Sequence, residues 1–159
     1  MQQTYAKPEI SLNGNTALPP ELDYLYKLIQ YSIARFSSEG AQEAEPEMPG
    51  LQHWQLPIKD FIRQFGLSRI ESQLLLVAIA PHVQPDLFDA AIESSLKGSG
   101  DFPKIGGVRG KNFRGFLPTG QTVLFLVGAD NWKSSQEVIQ LFWSDHLFAR
   151  KKILWLEDL

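Results

Sequence analysis

The chain contains no cysteine. This absence excludes disulfide bonds, thiolate metal sites and a cysteine nucleophile. Long apolar runs are also missing, because none approaches the ~20 residues that a membrane-spanning helix needs. The segment Met1–Lys7 lacks the charged-then-apolar pattern of a secretion signal. From these absences we expect a cytoplasmic protein with no membrane partner.

Histidine is scarce, and its three copies, His53, His82 and His146, are scattered along the chain. None has a second ligand at helical spacing, whereas a zinc site needs three or four converging ligands. Ser144-Asp145-His146 contains the residue types of a hydrolase triad, but consecutive residues cannot point at one reacting atom. We therefore expect no metal, no cofactor and no catalytic residue, and the chain is not predicted to be an enzyme.

The length of 159 residues and a hydrophobic content of 43% indicate one globular domain. Residues 1–18 are polar and turn-rich, which predicts an irregular lead-in before a single domain over 19–159. Residues 41–50 hold three glutamates and two prolines and predict a solvated acidic loop within that domain.

Apolar residues recur at intervals of three and four along much of the chain, which is typical of amphipathic helices. Thr122–Val127 fits either a strand or a short helix, of which we favour the helix, and Ile153–Leu156 predicts a strand. We expect an α+β fold that is mainly α. The predicted helices cover residues 19 to about 40, 57–64, 68–80, 86–97 and 134–143.

Residues 65–71 have the outline of a helix-turn-helix. A helix is predicted to end at Gly66, and Ser68 begins the next helix as its N-cap, with Glu71 three residues on as a capping box requires. A DNA-reading second helix must present polar and basic side chains to base edges. Leu74–Ala80 instead presents apolar side chains on nearly every face, which is typical of a buried helix. The pattern indicates a structural or interaction module.

Charge is unevenly distributed along the chain. Residues 1–100 carry seven Lys/Arg against twelve Asp/Glu, and residues 101–159 carry eight against six. A run without acids between Asp101 and Asp130 could mark a nucleic-acid footprint. The acidic pI of about 5.6 weighs against nucleic acid as the main partner. The basic residues of that run are Lys104, Arg109, Lys111 and Arg114.

The same run is rich in glycine and predicts a surface hairpin, or wing, over residues 107–116. It is not a P-loop, because Ile105 stands where that motif needs its first glycine and Asn112 where it needs Ser or Thr. We predict that the wing contacts a partner, since it combines positive charge with aromatic side chains. The candidate contact residues are Arg109, Lys111, Phe113 and Arg114.

The four tryptophans, Trp54, Trp132, Trp143 and Trp155, are flanked by apolar residues or turns. We expect them to complete the core, because a large aromatic side chain gains most when it is buried. Any that are exposed become candidates for a partner surface.

Three groups of residues together resemble a known family. The first group is Phe65-Gly66-Leu67-Ser68 with Glu71 and the Leu74–Pro81 run, the second is residues 114–126, and the third is Asp145-His146-Leu147-Phe148. All three are similar to the variant winged-helix domain that precedes certain bacterial AAA+ ATPases. Some of these ATPases are encoded beside contractile injection systems. The similarity spans roughly Leu22 to Leu156.

The resemblance implies a winged-helix-like helical domain that docks or regulates, and that would normally continue into an ATPase module. The chain carries no phosphate loop of its own, so the expected role is non-catalytic binding to a protein partner or to a C-terminal ATPase module. The alternative is a winged-helix transcriptional regulator that binds DNA. The helix-turn-helix outline and the basic wing of the chain favour this alternative. The negative net charge of the chain and its apolar second helix oppose it.

Overall fold

The computed structural model describes residues 18–36, 44–96, 102–128 and 131–157. These residues form mainly α-helix with one small antiparallel sheet, so the predicted α+β, mainly α, fold class is confirmed. The helices are α1 (Pro20–Ala34), α2 (Ile58–Phe65), α3 (Arg69–Val83), α4 (Leu87–Leu96), α5 (Gly120–Val127), α6 (Trp132–Gln140) and α7 (Leu147–Arg150), and the strands are β1 (Val108–Arg109) and β2 (Phe116–Leu117). Short 3₁₀ turns cover Leu51–His53 and Pro103–Ile105.

The predicted lead-in and the predicted acidic loop lie partly outside the described residues, as do the predicted ends of the first helix near residue 40 and of the 86–97 helix at Lys97. Of the lead-in at 1–18 only Leu18 is described, and of the acidic loop at 41–50 only residues 44–50 are described. The described part of that loop forms no regular structure, as predicted.

Helix α1 lies at the centre of the fold and packs against α3, α4 and α5. Prolines at its start suit the first turn of a helix, where a backbone N–H has no intrahelical partner. The apolar side of α1 faces inward. A hydrogen bond also links α1 to α3, because the Gln73 amide on α3 donates to the Tyr24 hydroxyl on α1 at 2.7 Å. Burial raises the pKa of Tyr24. The inward side chains are Leu22, Leu25, Leu28, Ile29 and Ile33.

The predicted helix end at Gly66 and the predicted capping box at Ser68 are confirmed. Gly66 ends α2 in the left-handed region at φ +56°, which glycine adopts without steric cost. The Ser68 hydroxyl accepts the Glu71 N–H at 3.2 Å, and the Glu71 carboxylate accepts the Ser68 N–H at 2.9 Å, which completes the capping box. Most of α3 beyond that cap is buried, so the prediction of a core helix is also confirmed.

Helix α3 continues past its predicted end at Ala80. It runs through Pro81 to Val83, with Pro81 buried, and the axis then turns by 101° into α4. Proline removes one backbone hydrogen bond from a helix interior, but it fits the last turn here because it packs in the core.

The prediction of a strand at Ile153–Leu156 is wrong, because Ile153 forms a bend and residues 154–156 form no regular structure. A strand needs a neighbouring strand to pair with, and the described sheet consists of β1 and β2 alone. The ambiguous Thr122–Val127 segment is helical, as favoured. Its start is stabilised by the Thr119 N–H, which donates to the Thr122 hydroxyl at 3.0 Å.

Within the described ranges, no single helix has the length and apolarity to cross a membrane. Helices α3 and α4 together reach the required length and composition, but only across their 101° bend.

Candidate functional site

The predicted wing forms a short hairpin. Strands β1 and β2 pair antiparallel, with Val108 opposite Leu117 and Arg109 opposite Phe116. The Phe116 ring is buried and stacks on Phe88 of α4, with ring centroids 4.8 Å apart. This aromatic contact packs the hairpin against the helical core.

Arg109 also ties the hairpin to α4. Its guanidinium donates to both carboxylate oxygens of Asp89, at 2.7 and 2.8 Å, and to the Arg114 carbonyl at 3.1 Å. This bidentate pair is the strong form of an ion pair, because it fixes the planes of both groups. The structure therefore places Arg109, a predicted partner contact, in an intramolecular role.

The other three predicted contacts have different surroundings. The Phe113 ring is half-buried over Gly115, where an added Cβ would lie 2.7 Å from Phe113 Cε1. Lys111 and Arg114 are exposed near the turn of the hairpin. Of the predicted set, Lys111 and Arg114 therefore remain as solvent-accessible cations, while Phe113 packs against the hairpin itself.

Three large exposed apolar side chains lie on α6 or just after its end. Trp132, Ile139 and Trp143 are 66%, 47% and 53% exposed. Trp132 and Ile139 are seven residues apart in α6 and therefore lie on one side of the helix, and Trp143 follows three residues after α6 ends at Gln140. Val138, which is next to Ile139 on α6, and Leu141, which directly follows the helix, are buried. We name Trp132, Ile139 and Trp143 the α6 stripe.

The prediction that all four tryptophans complete the core is therefore wrong for three of them. Trp54 is buried, and its indole N–H donates to the Pro49 carbonyl at 2.9 Å. Trp155 is 62% exposed in the irregular segment that follows α7. No local sequence signal separates the buried tryptophan from the others, because burial of these side chains depends on how the helices pack.

A cavity of about 560 Å³ opens between α4 and the chain that leads into β1. Its floor is apolar and its rim carries Asp89, Glu93 and Arg109. Of these rim residues, the sequence predicts only Arg109 as a candidate contact residue. The contact between α4 and a segment some twenty residues later leaves no periodic or motif signal.

His146 is held by contacts from two elements. The Phe148 N–H donates to its Nδ1 at 3.1 Å, so Nε2 carries the ring proton in the neutral form and donates to Glu71 Oε2 at 2.8 Å. Partial burial by itself would raise the pKa of Glu71, but hydrogen bonds from Ser68 and His146 outweigh it and lower the pKa. The pair links α7 to the start of α3, so His146 has a structural role here.

The buried position of Glu21, like the contact between His146 and Glu71, is not predicted from the sequence. Glu21 is fully buried in the first turn of α1, and its Oε1 accepts the backbone N–H groups of Gln55 and Leu56 at 2.9 and 2.6 Å. From the sequence, an acid in a first helical turn indicates only a favourable interaction with the helix dipole. The two hydrogen bonds show that Glu21 also anchors the chain that enters α2.

The described residues contain no group of three or more His, Cys, Asp or Glu side chains placed to hold a metal ion. No protein-family model, no curated protein and no solved structure matches the chain. The similarity to winged-helix domains of AAA+ ATPases therefore stays a prediction from the residues alone.

Proposed function

We propose that this chain is a non-catalytic docking domain that acts by binding another protein. The observation that carries the proposal is the α6 stripe, in which Trp132 and Ile139 are exposed on one side of α6 and Trp143 is exposed just after its end. Exposed apolar area costs about 25 cal/mol per Å² relative to burial, so covering these side chains favours association. Tryptophan is also the residue type most enriched among the side chains that dominate binding energy.

The partner fits the family that the sequence resembles. In that family the domain precedes an ATPase module, so the proposed role is to dock that module or a protein on which the ATPase acts. The burial of α3 supports docking over DNA reading, because side chains from Leu74 to Val77 face the core. A helix in that position cannot offer those side chains to base edges.

A photo-crosslinking amino acid in place of Ile139 tests the proposal in cells that naturally make the protein. Glu137 provides the matched control, because it is exposed on the same helix but lies about 160° around the axis from Ile139. We expect a discrete crosslinked protein from position 139 that is absent from position 137. Trp143→Ser should abolish this crosslink without lowering the melting temperature, because Trp143 is an exposed residue.

The captured protein is then purified and titrated against the wild type and Trp143→Ser. Loss of a central tryptophan contact typically costs about 2 kcal/mol or more, which corresponds to roughly a 30-fold weaker Kd. Equal crosslinking from positions 137 and 139, or an unchanged Kd for Trp143→Ser, would reject the α6 stripe as the docking surface.

A further inference from the structure

The cavity between α4 and β1 has an apolar floor that is already rigid. Ile92, Ile105 and Phe116 line it, and each is less than 10% exposed. Phe116 is fixed by its stack on Phe88. The volume of about 560 Å³ lies within the range of about 300–1,000 Å³ that is typical of ligand pockets.

Two glycines form the wall that faces α4. Gly106 and Gly107 have φ of +72° and +87°, and a Cβ on Gly107 would lie 2.1 Å from the Phe116 ring. The Gly107 N–H donates to the Thr119 hydroxyl at 3.2 Å, which holds this backbone against the start of α5. The wall is therefore preformed, and the cavity does not depend on a ligand to take shape.

Among the residues that the structure describes, those lining the cavity carry one negative charge in excess. Arg109 is paired through both of its terminal nitrogens with Asp89, which leaves Glu93 one turn further along α4. Glu93 is exposed and has no hydrogen bond or ion pair with another residue in the described ranges. Lys104, on the neighbouring 3₁₀ turn, is directed elsewhere, because its Nζ lies 4.5 Å from the centre of the Phe36 ring.

An apolar floor beside an unpaired carboxylate matches a group with an apolar stem and a positively charged end. Arginine and lysine side chains have this form, since they bury their methylene groups along apolar surface and keep the charged group at its edge. One such side chain fills only part of the cavity, so a neighbouring apolar side chain can enter with it.

We propose that this cavity binds a basic side chain of a peptide segment from a partner protein, with Glu93 as its ion-pair partner. The site deepens the proposed docking function and rests on it for the source of the peptide, but it uses residues separate from the α6 stripe. A cavity without a binding role would show no preference between a charged and a neutral ligand of the same shape.

The probe is the blocked dipeptide acetyl-Leu-Arg-amide, titrated into ¹⁵N-labelled protein and followed by NMR. The same dipeptide with citrulline in place of arginine is the neutral control of nearly equal shape. We expect the arginine probe to shift the amide signals of Ile92, Ile105, Gly106 and Gly107, with a Kd about threefold to tenfold lower than that of the citrulline probe.

Glu93→Gln should remove the preference for arginine, because it keeps the side-chain size and deletes the charge. Glu137→Gln on α6 is the matched control, since it removes an exposed helical glutamate far from the cavity, and it should leave the preference intact. Equal affinities for the two probes, or an arginine preference that persists in Glu93→Gln, would overturn the proposal.

A third probe, n-butylguanidinium, separates a peptide from a small free cation. Binding of n-butylguanidinium without binding of the blocked dipeptide would overturn the peptide assignment. Trp143→Ser should bind the dipeptide normally. The proposal of a peptide site at the cavity and the proposal of docking at the α6 stripe are thus tested independently of each other.

Discussion

Glu21 illustrates at the scale of a single residue how a buried charge can organise its surroundings. One carboxylate oxygen accepts two backbone N–H groups from residues 55 and 56, and the other has no hydrogen-bond partner among the described residues. The first turn of α1 partly compensates the negative charge, because the backbone N–H groups there carry a partial positive charge. Glu21 thereby joins the central helix to the chain that leads into the helix-turn-helix.

We predict that Glu21→Ala lowers the free energy of unfolding by about 1–3 kcal/mol, because two backbone N–H groups lose their acceptor. Glu21→Gln should cost less, since the amide oxygen can still accept from both. Urea denaturation of the three proteins measures the difference. Equal losses for Ala and Gln would mean that the charge of Glu21, and not its role as acceptor, stabilises the fold.

Glu71 predicts a specific pH dependence of stability. Its pKa in the fold is below the ordinary value of 4.5, so its ionised form stabilises the fold above that pH, and this contribution is lost as pH falls through the lowered pKa. Between about pH 5 and pH 3, the unfolding free energy of the wild type should fall more steeply than that of Glu71→Gln. Urea titrations over this range test it, with Glu137→Gln as control. Parallel curves for wild type and Glu71→Gln would contradict the assignment.

At the scale of secondary-structure elements, α3 determines whether the domain folds. Leu75 is 6% exposed in the buried part of this helix, and Ile139 on the α6 stripe is 47% exposed. Leu75→Asp should unfold the domain, because an unpaired buried charge costs about 3–5 kcal/mol or more against a typical total of about 5–15. Ile139→Asp, the same kind of change on an exposed face, should keep the native circular dichroism. A folded Leu75→Asp variant with wild-type melting would show that α3 is not part of the core.

The hairpin is attached to α4 by the Arg109–Asp89 ion pair in addition to the stack of Phe116 on Phe88. Asp89→Asn should weaken its attachment to α4, because the bidentate contact with Arg109 is lost, so amide exchange at Val108 and Leu117 should accelerate. Global stability should change by less than about 1 kcal/mol, since the pair is exposed. Asp60→Asn, which removes the exposed Asp60–Arg63 pair on α2, is the control and should leave exchange in the hairpin unchanged.

The elements that sequence analysis predicted correctly are those with local signals. The Ser68–Glu71 capping box, the end of α2 at Gly66 and the apolar run of α3 all lie within short stretches of chain. Ile153–Leu156 has strand-forming composition but no partner strand, and composition alone carries no information about pairing. The pairing of Arg109 with Asp89 joins residues twenty positions apart, so the sequence predicted the position of the hairpin but not its contacts, and partner binding at the hairpin stays a prediction.

At the scale of the whole molecule, charge and burial together oppose the DNA-binding alternative. The net charge is −3, and the second helix of the helix-turn-helix is largely buried. We predict no sequence-selective binding to DNA at about 150 mM salt, and any binding at low salt should weaken steeply as salt rises, because it would rest on phosphate contacts alone. Fluorescence anisotropy with labelled duplexes of different sequence measures this. Selective binding that survives at that salt concentration would favour the transcriptional regulator instead.

The unequal exposure of the tryptophans gives the protein two separate optical reporters. Trp54 is 2% exposed, so its emission should shift to longer wavelength when the chain unfolds, whereas Trp155 and the two stripe tryptophans are already solvated in the native state. A protein that covers the α6 stripe should instead shift emission to shorter wavelength and protect Trp132 and Trp143 from iodide quenching. Folding and docking can therefore be followed in the same unlabelled sample, because unfolding and docking shift the tryptophan emission wavelength in opposite directions.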